Sequence, residues 1–194
     1  MRKALIVDCC LRREESRTRE LMDAFVSSLP EDVSPEVLVL EEEGLSCLTG
    51  AFFEQRQKLL DENALNHPRF RYAHQLAEAD LVAIAAPFWD LSFPALLKVY
   101  IENCSVDGIT FTSRHGGLAG LCKGTDLVFL TTRGGVFTDD PMEMGSRYLD
   151  ALHTFFGFNR YHCIAADGMD MSAFDHTKVL EEAKQKAIQL AKSL

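Results

Sequence analysis

Apolar and polar positions along the chain fall into two alternating patterns. Short continuous apolar runs, "ALIVD" at residues 4–8 and "ADLVAIAAP" at 79–87, alternate with longer stretches whose apolar residues recur every three or four positions. The first kind suits strands buried on both faces, the second amphipathic helices. In "SRTRELMDAFVSSL" (16–29), Leu21, Phe25 and Leu29 share one face. "PEVLVLE" (35–41) reads as a second strand. Residues 51–76 read as a long helix broken near His67 and Pro68. "PALLKVYIENC" (94–104) reads as a helix with Pro94 in its first turn, where a missing N–H costs nothing. "ITFTSRHGG" suggests one arm of a hairpin. "TDLVFLTTRGG" is a fourth strand ending in glycines, "PMEMGSRYLDALHTFF" a helix and "RYHCIAAD" a fifth strand. "HTKVLEEAKQKAIQLAKSL" is a closing amphipathic helix.

Strands alternating with helices predict an α/β fold, a parallel sheet covered on both faces. With right-handed crossovers and five strands, the expected architecture is flavodoxin-like. It is a doubly wound sheet of order 2-1-3-4-5 with helices on both faces and a small hairpin insertion. One domain spans residues 1–194, since no repeat or Pro/Gly/Ser-rich linker divides the chain. In such folds ligands bind beyond the carboxyl ends of the strands, at the switch point between strands one and three. The functional residues are therefore expected just after Val7, Ala86 and Leu130.

Composition narrows the partners. The net charge of -9 disfavours nucleic acid and anionic membranes as general partners. No apolar run has the length of a membrane span, and the N-terminus reads as a first strand and not as a signal peptide. Six scattered cysteines without a CxxC argue against a zinc site or a disulfide framework. They suit reduced thiols in a cytoplasmic protein. The six histidines, His115 among them, show no ligand spacing, and no metal is expected. No GxSxG hydrolase elbow is present. Asp139 and Asp140, before Pro141, read as a helix cap, and Glu41–Glu43 as a solvated strand end.

The three expected loops carry the least ordinary segments: "DCCLRREESRTRE", "PFWDLSFP" and "TTRGGVFTDDP". The first has neither GxGxxG nor GxxxxGK[ST], so neither a dinucleotide loop nor a Walker loop is supported. It does offer Ser16 as a helix N-cap, with Arg17 and Thr18 as further donors, an arrangement suited to one terminal phosphate. Taken alone, it reads equally well as a capped helix beside a solvated charge run. The second loop places Phe88, Trp89, Leu91 and Phe93 around a turn, either a satellite core or a wall for a flat ligand. In the third, Gly134 and Gly135 let a backbone approach a planar ring. Together the loops describe a slot for a monophosphate joined to a flat heterocycle, which FMN fits better than a dinucleotide does.

At these residues the sequence resembles the FMN-dependent NADH azoreductase and NAD(P)H quinone reductase family of flavodoxin-like proteins. The matching segments are "AAPFWDLSFPALLKVYIE", "GITF", "TTRGG" and "TFFGF", in order over nearly the whole chain. The resemblance implies that Ser16, Arg17 and Thr18 hold the FMN phosphate, with Cys10 where a serine is common. Pro87, Phe88, Trp89 and Asp90 line one side of the flavin, and Thr132, Arg133, Gly134 and Gly135 approach from the other loop. It implies a homodimer in which Phe158 and the 111–118 hairpin, Phe111 included, help to wall the substrate pocket. It also implies a ping-pong reaction in which NADH or NADPH reduces flavin N5 and a quinone, azo compound or other flat aromatic acceptor reoxidises it. No side chain then acts as nucleophile. The sequence departs from the family in its charged phosphate turn, Arg12 to Glu15, and in Asp90, where an asparagine is frequent. Two other classes stay open: an FMN-binding electron carrier and a protein that keeps the fold without flavin.

Overall fold

The computed structural model describes residues 1–113 and 117–194. Arg114, His115 and Gly116, within the expected hairpin, lie outside the described residues. Five parallel strands form one sheet: β1 (Arg2–Asp8), β2 (Val33–Val39), β3 (Leu81–Ala85), β6 (Asp126–Thr132) and β7 (Arg160–Ala166). Their order is β2-β1-β3-β6-β7, the expected 2-1-3-4-5. A two-stranded antiparallel hairpin, β4 (Phe111–Thr112) with β5 (Ala119–Gly120), stands apart from it.

The sheet interior follows from strand alternation. Ala4 and Ile6 on β1 face one layer, Leu5 and Val7 the other. The first layer holds α1 (Arg17–Val26) and α6 (His176–Ser193), through Leu21, Phe25, Leu180 and Ala187. The second holds α3 (Arg71–Glu78), α4 (Ala95–Cys104) and α5 (Gly145–Phe156), through Leu76, Leu97, Tyr100 and Leu149. Central strands β3 and β6 are buried along their whole length, as their unbroken apolar runs predict.

Two boundaries and one surface reading differ from expectation. The long helix of residues 51–76 is two helices, α2 (Gly50–Asp61) and α3, separated by a turn and a single 3-10 turn at Pro68–Phe70. Asn63 in the left-handed region (φ 53°) and Pro68 end the first helix and reset the second. Helix α5 begins at Gly145 and not at Pro141. Asp140 closes a turn onto the Met142 amide (2.8 Å), and the buried Glu143 receives the Ser146 amide (2.9 Å). Glu143, and not the Asp139–Asp140 pair, thus supplies the first-turn acceptor. The acidic strand end is not simply solvated: Glu41 and Glu42 clamp Arg13 (2.8 and 2.9 Å), and Glu43 takes Arg71 (2.7 Å).

Candidate cofactor cleft

At the carboxyl edge of the sheet, the loops after β1, β3, β6 and β7 meet around a cleft of about 110 Å3. Leu11, Arg12, Glu15, Ser16, Arg17, Thr18, Pro87, Phe88, Trp89, Thr132, Gly134 and Asp170 line it. That volume cannot enclose a ligand of the usual 300–1,000 Å3 class, so a larger ligand has to extend beyond it.

The floor is the start of α1. The Ser16 hydroxyl accepts the Arg19 amide (3.3 Å), and the Ser16 carbonyl accepts Arg19 and Glu20 (3.0 and 3.1 Å). Among the described residues the amides of Arg17 and Thr18 have no partner. Two free donors at the positive end of the helix dipole favour an anion. The loop reaches this position through Arg13, whose left-handed backbone (φ 53°) is held by the Glu41 and Glu42 clamp.

The aromatic wall is a two-residue turn. Trp89 and Ser92 exchange both backbone hydrogen bonds (3.1 and 2.8 Å), with Asp90 at φ 48° and Leu91 at φ 67° between them. Two successive left-handed residues give the twist of a tight hairpin. Aspartate tolerates that conformation, whereas leucine rarely adopts it. The Met144 amide donates to the Leu91 carbonyl (2.9 Å) and ties the turn to the start of α5. The result holds Trp89 at the mouth, 44% exposed. Behind it, the Phe88 amide donates to the Thr132 carbonyl (3.1 Å), and the Phe88 ring packs on Phe137 at 4.5 Å.

The loops after β6 and β7 are knitted to α1. Thr18 and Thr132 share a buried hydroxyl hydrogen bond of 2.6 Å. Arg17 donates to the Met169 carbonyl (2.5 Å) and to Asp170 (2.7 Å). A Cβ on Gly134 would stand 2.5 Å from an Asp170 carboxylate oxygen, so glycine is what lets that carboxylate approach. Beneath the loop, Arg133 is 3% exposed and sits between Glu143 (3.4 Å) and Asp167 (3.3 Å). Asp167 also accepts the Phe137 amide (2.8 Å), the Thr138 amide (2.7 Å) and the Thr138 hydroxyl (2.8 Å). A larger cavity of about 570 Å3, lined by Arg133, Phe137, Glu143, Cys163 and Lys186 among others, lies beyond this cluster.

Of the residues expected from sequence, Ser16, Arg17, Thr18, Pro87, Phe88, Trp89, Thr132 and Gly134 come together in the cleft. The others do not. Cys10 is buried, with its thiol directed at the Ala85 carbonyl (3.8 Å), and burial raises its pKa. Arg133 turns away into its ion cluster, and Gly135 and Asp90 stand outside the lining. Phe158 is a core residue at the amino end of β7, 4% exposed and closely packed over Gly124. Phe111 packs on Phe155 of α5 (4.6 Å). Both phenylalanines lie at the edge of the sheet opposite the cleft, so this chain's own copies do not wall it. Sequence reasoning missed Leu11, Arg12, Glu15 and Asp170 as lining residues. The carboxyl-edge rule, applied also to the fifth strand, points to Asp170.

A family model described as the flavodoxin-like fold matches residues 2–191. The chain belongs to this flavodoxin-like family. Within it, the chain is 38% identical over 199 residues to an FMN-dependent NADH:quinone oxidoreductase of Clostridium perfringens, with 99% of each chain covered. It is 34% identical over 197 residues to an FMN-dependent NADH:quinone oxidoreductase of Clostridium beijerinckii, with 100% of each covered. Its structure superposes on that of an azoreductase from Bacillus anthracis with a TM-score of 0.88 at 25% identity, over 100% of both chains. The family match thus covers all but the first residue and the last three of the 194.

Proposed function

We propose that the chain is an FMN-dependent oxidoreductase that draws reducing equivalents from NADH and passes them to a quinone, azo compound or similar flat acceptor. The observation that carries this reading is the cleft: unpartnered helix amides on its floor, aromatic side chains at its mouth and a glycine-lined loop opposite. That donor set fits a phosphate monoester bearing a planar ring. The cleft's volume suits the phosphate, so the nucleotide's ring would extend beyond it past Phe88 and Trp89. The end-to-end similarity to the Clostridium enzymes supports the same reading.

When bound, FMN supplies the two-electron redox chemistry. The chain's part is placement. The Arg17 and Thr18 amides receive the phosphate, with the Ser16 hydroxyl free to donate since it serves the helix only as an acceptor. Phe88 and Trp89 offer the ring an apolar face and exclude water from it. The Thr18–Thr132 and Arg17–Asp170 bonds hold the loops at fixed spacing before any ligand arrives, so little ordering remains for binding. One open side of the mouth then serves donor and acceptor in turn, a ping-pong order. NADPH is the variant donor.

Trp89, Leu91, Met142 and Met144 cluster about the turn with 44%, 43%, 54% and 49% of their surfaces exposed. In this reading a second copy covers them in a homodimer. Among the described residues no helix is long and apolar enough to cross a membrane. A cytoplasmic setting, with no nucleic-acid or membrane partner, completes the proposal.

The test is a visible absorption spectrum of the purified protein, before and after FMN is added and the excess removed, followed by NADH without air. Retained flavin absorption that bleaches with NADH and returns with a quinone is the expected result. Retained flavin that NADH leaves coloured turns the reading to an electron carrier. No retained flavin overturns it.

A further inference from the structure

Four arginines crowd the loop before α1 and its first turn, and the structure separates them. Arg13 is clamped by Glu41 and Glu42, Arg17 by Met169 and Asp170, and Arg19 faces Glu14 at 3.5 Å. Arg12 is exposed and lines the cleft, and among the described residues its guanidinium has no hydrogen bond or ion pair. Its backbone is fixed: its carbonyl accepts the Glu15 amide (3.1 Å), closing the turn that precedes Ser16. The cleft therefore contains one neutralised cation, Arg17 against Asp170, and one free cation.

We propose that Arg12, and not Arg17, is the side chain that meets the terminal phosphate of the flavin, while Arg17 is a positioning residue that ties α1 to the loop after β7. This rests on the FMN reading above. A phosphate carries close to two negative charges, and the two helix amides offset only about half a charge. A guanidinium at the cleft wall supplies the rest through paired N–H donors. Arg17 already spends two of its five N–H donors, and its charge, on the Met169 carbonyl and Asp170, so it faces the anion as a neutralised cation. Glu15, the other unpaired charge lining the cleft, opposes the phosphate and sets a limit on affinity.

The experiment compares two flavins that differ only in the phosphate. FMN and riboflavin are titrated, by quenching of flavin fluorescence, into the wild type, Arg12→Ala, Arg12→Lys, Arg17→Ala and Glu15→Gln. Arg12→Ala is expected to weaken FMN about tenfold or more, as for loss of a charged hydrogen bond, and to leave riboflavin within about twofold. Arg12→Lys recovers part of the loss, and the Arg12→Ala penalty shrinks with salt because the site is open to solvent. Arg17→Ala weakens both flavins alike, and Glu15→Gln tightens FMN alone. Thermal melting of Arg12→Ala stays at the wild-type value, because the side chain touches nothing that folding uses. An unchanged ratio of FMN to riboflavin affinity in Arg12→Ala, with the wild type binding FMN, overturns the assignment but spares the FMN reading. The same unchanged ratio with a lost preference between NADPH and NADH moves Arg12 to the donor and also overturns it. A wild type that takes neither flavin overturns both.

Discussion

The two edges of the sheet treat charge in opposite ways. At the amino edge Asp126, Arg2 and Asp80 all have partners. Asp126, 2% exposed, accepts from Thr125 (2.7 Å), Arg160 (2.7 Å) and His162 (2.8 Å). Arg2 holds Asp32 (3.0 Å), and Asp80 receives the Lys3 amide (2.7 Å). At the carboxyl edge the same kinds of group are left open: two helix amides, Arg12 and Glu15. Closed networks at one end hold strands in register. Unfinished ones at the other keep donors ready for a ligand. The lesson is that satisfaction of polar groups, more than their number, distinguishes a structural edge from a binding edge.

Arg133 is the sharpest challenge to that division, because it sits at the binding edge yet its charge is paired with Glu143 and Asp167. Arg133→Met leaves Glu143 and Asp167 without their buried cation, and is expected to cost about 3–5 kcal/mol of stability. Urea unfolding followed by circular dichroism measures this. A cost under about 1 kcal/mol would show that the cluster holds no strain-bearing role and that Arg133 belongs with the ligand.

The next largest effect lies at the other edge. Asp126→Asn weakens three hydrogen bonds and is expected to cost about 1–3 kcal/mol near neutral pH while leaving flavin affinity unchanged. Burial pushes the Asp126 pKa up, but hydrogen bonds from Arg160, Thr125 and His162 outweigh it and hold the carboxyl below its ordinary value. A depressed carboxylate stabilises the fold above its unfolded pKa, near 3.9, and that stability is lost as pH falls through the folded value. The gap between wild type and Asp126→Asn should therefore narrow below about pH 4. A gap constant with pH would remove the carboxylate charge from the account.

The smallest expected change in stability is at Trp89. Trp89→Ala should shift stability by no more than about 0.5 kcal/mol, since nearly half of the residue is exposed in a surface turn. In the wild type, tryptophan emission should be quenched when FMN binds, and the variant should bind FMN about three- to tenfold more weakly through lost stacking. Emission indifferent to FMN would take Trp89 out of the ring site.

Much of this was legible in the chain itself. The five-stranded order followed from apolar runs alternating with amphipathic stretches, because burial on both faces of a parallel sheet demands unbroken runs such as Leu81–Ala85. The loops of the cleft were legible for a topological reason: parallel strands with right-handed crossovers must place them at one edge. The individual side chains were not. Arg12, Arg13 and Arg17 are indistinguishable by residue type, and only distant carboxylates, Glu41, Glu42 and Asp170, decide which is left free. Cys10 and Ser16 are both small and polar enough for a phosphate turn, yet packing against β3 buries one and a helix start exposes the other to the cleft. The burial of Phe158 was not legible for the same reason: its neighbours are strands and helices remote in sequence. Periodicity is a local property, and it determined the elements and the edge. Pairing and burial depend on contacts between residues far apart in the chain, so only the tertiary structure decided which groups at that edge are spent and which remain.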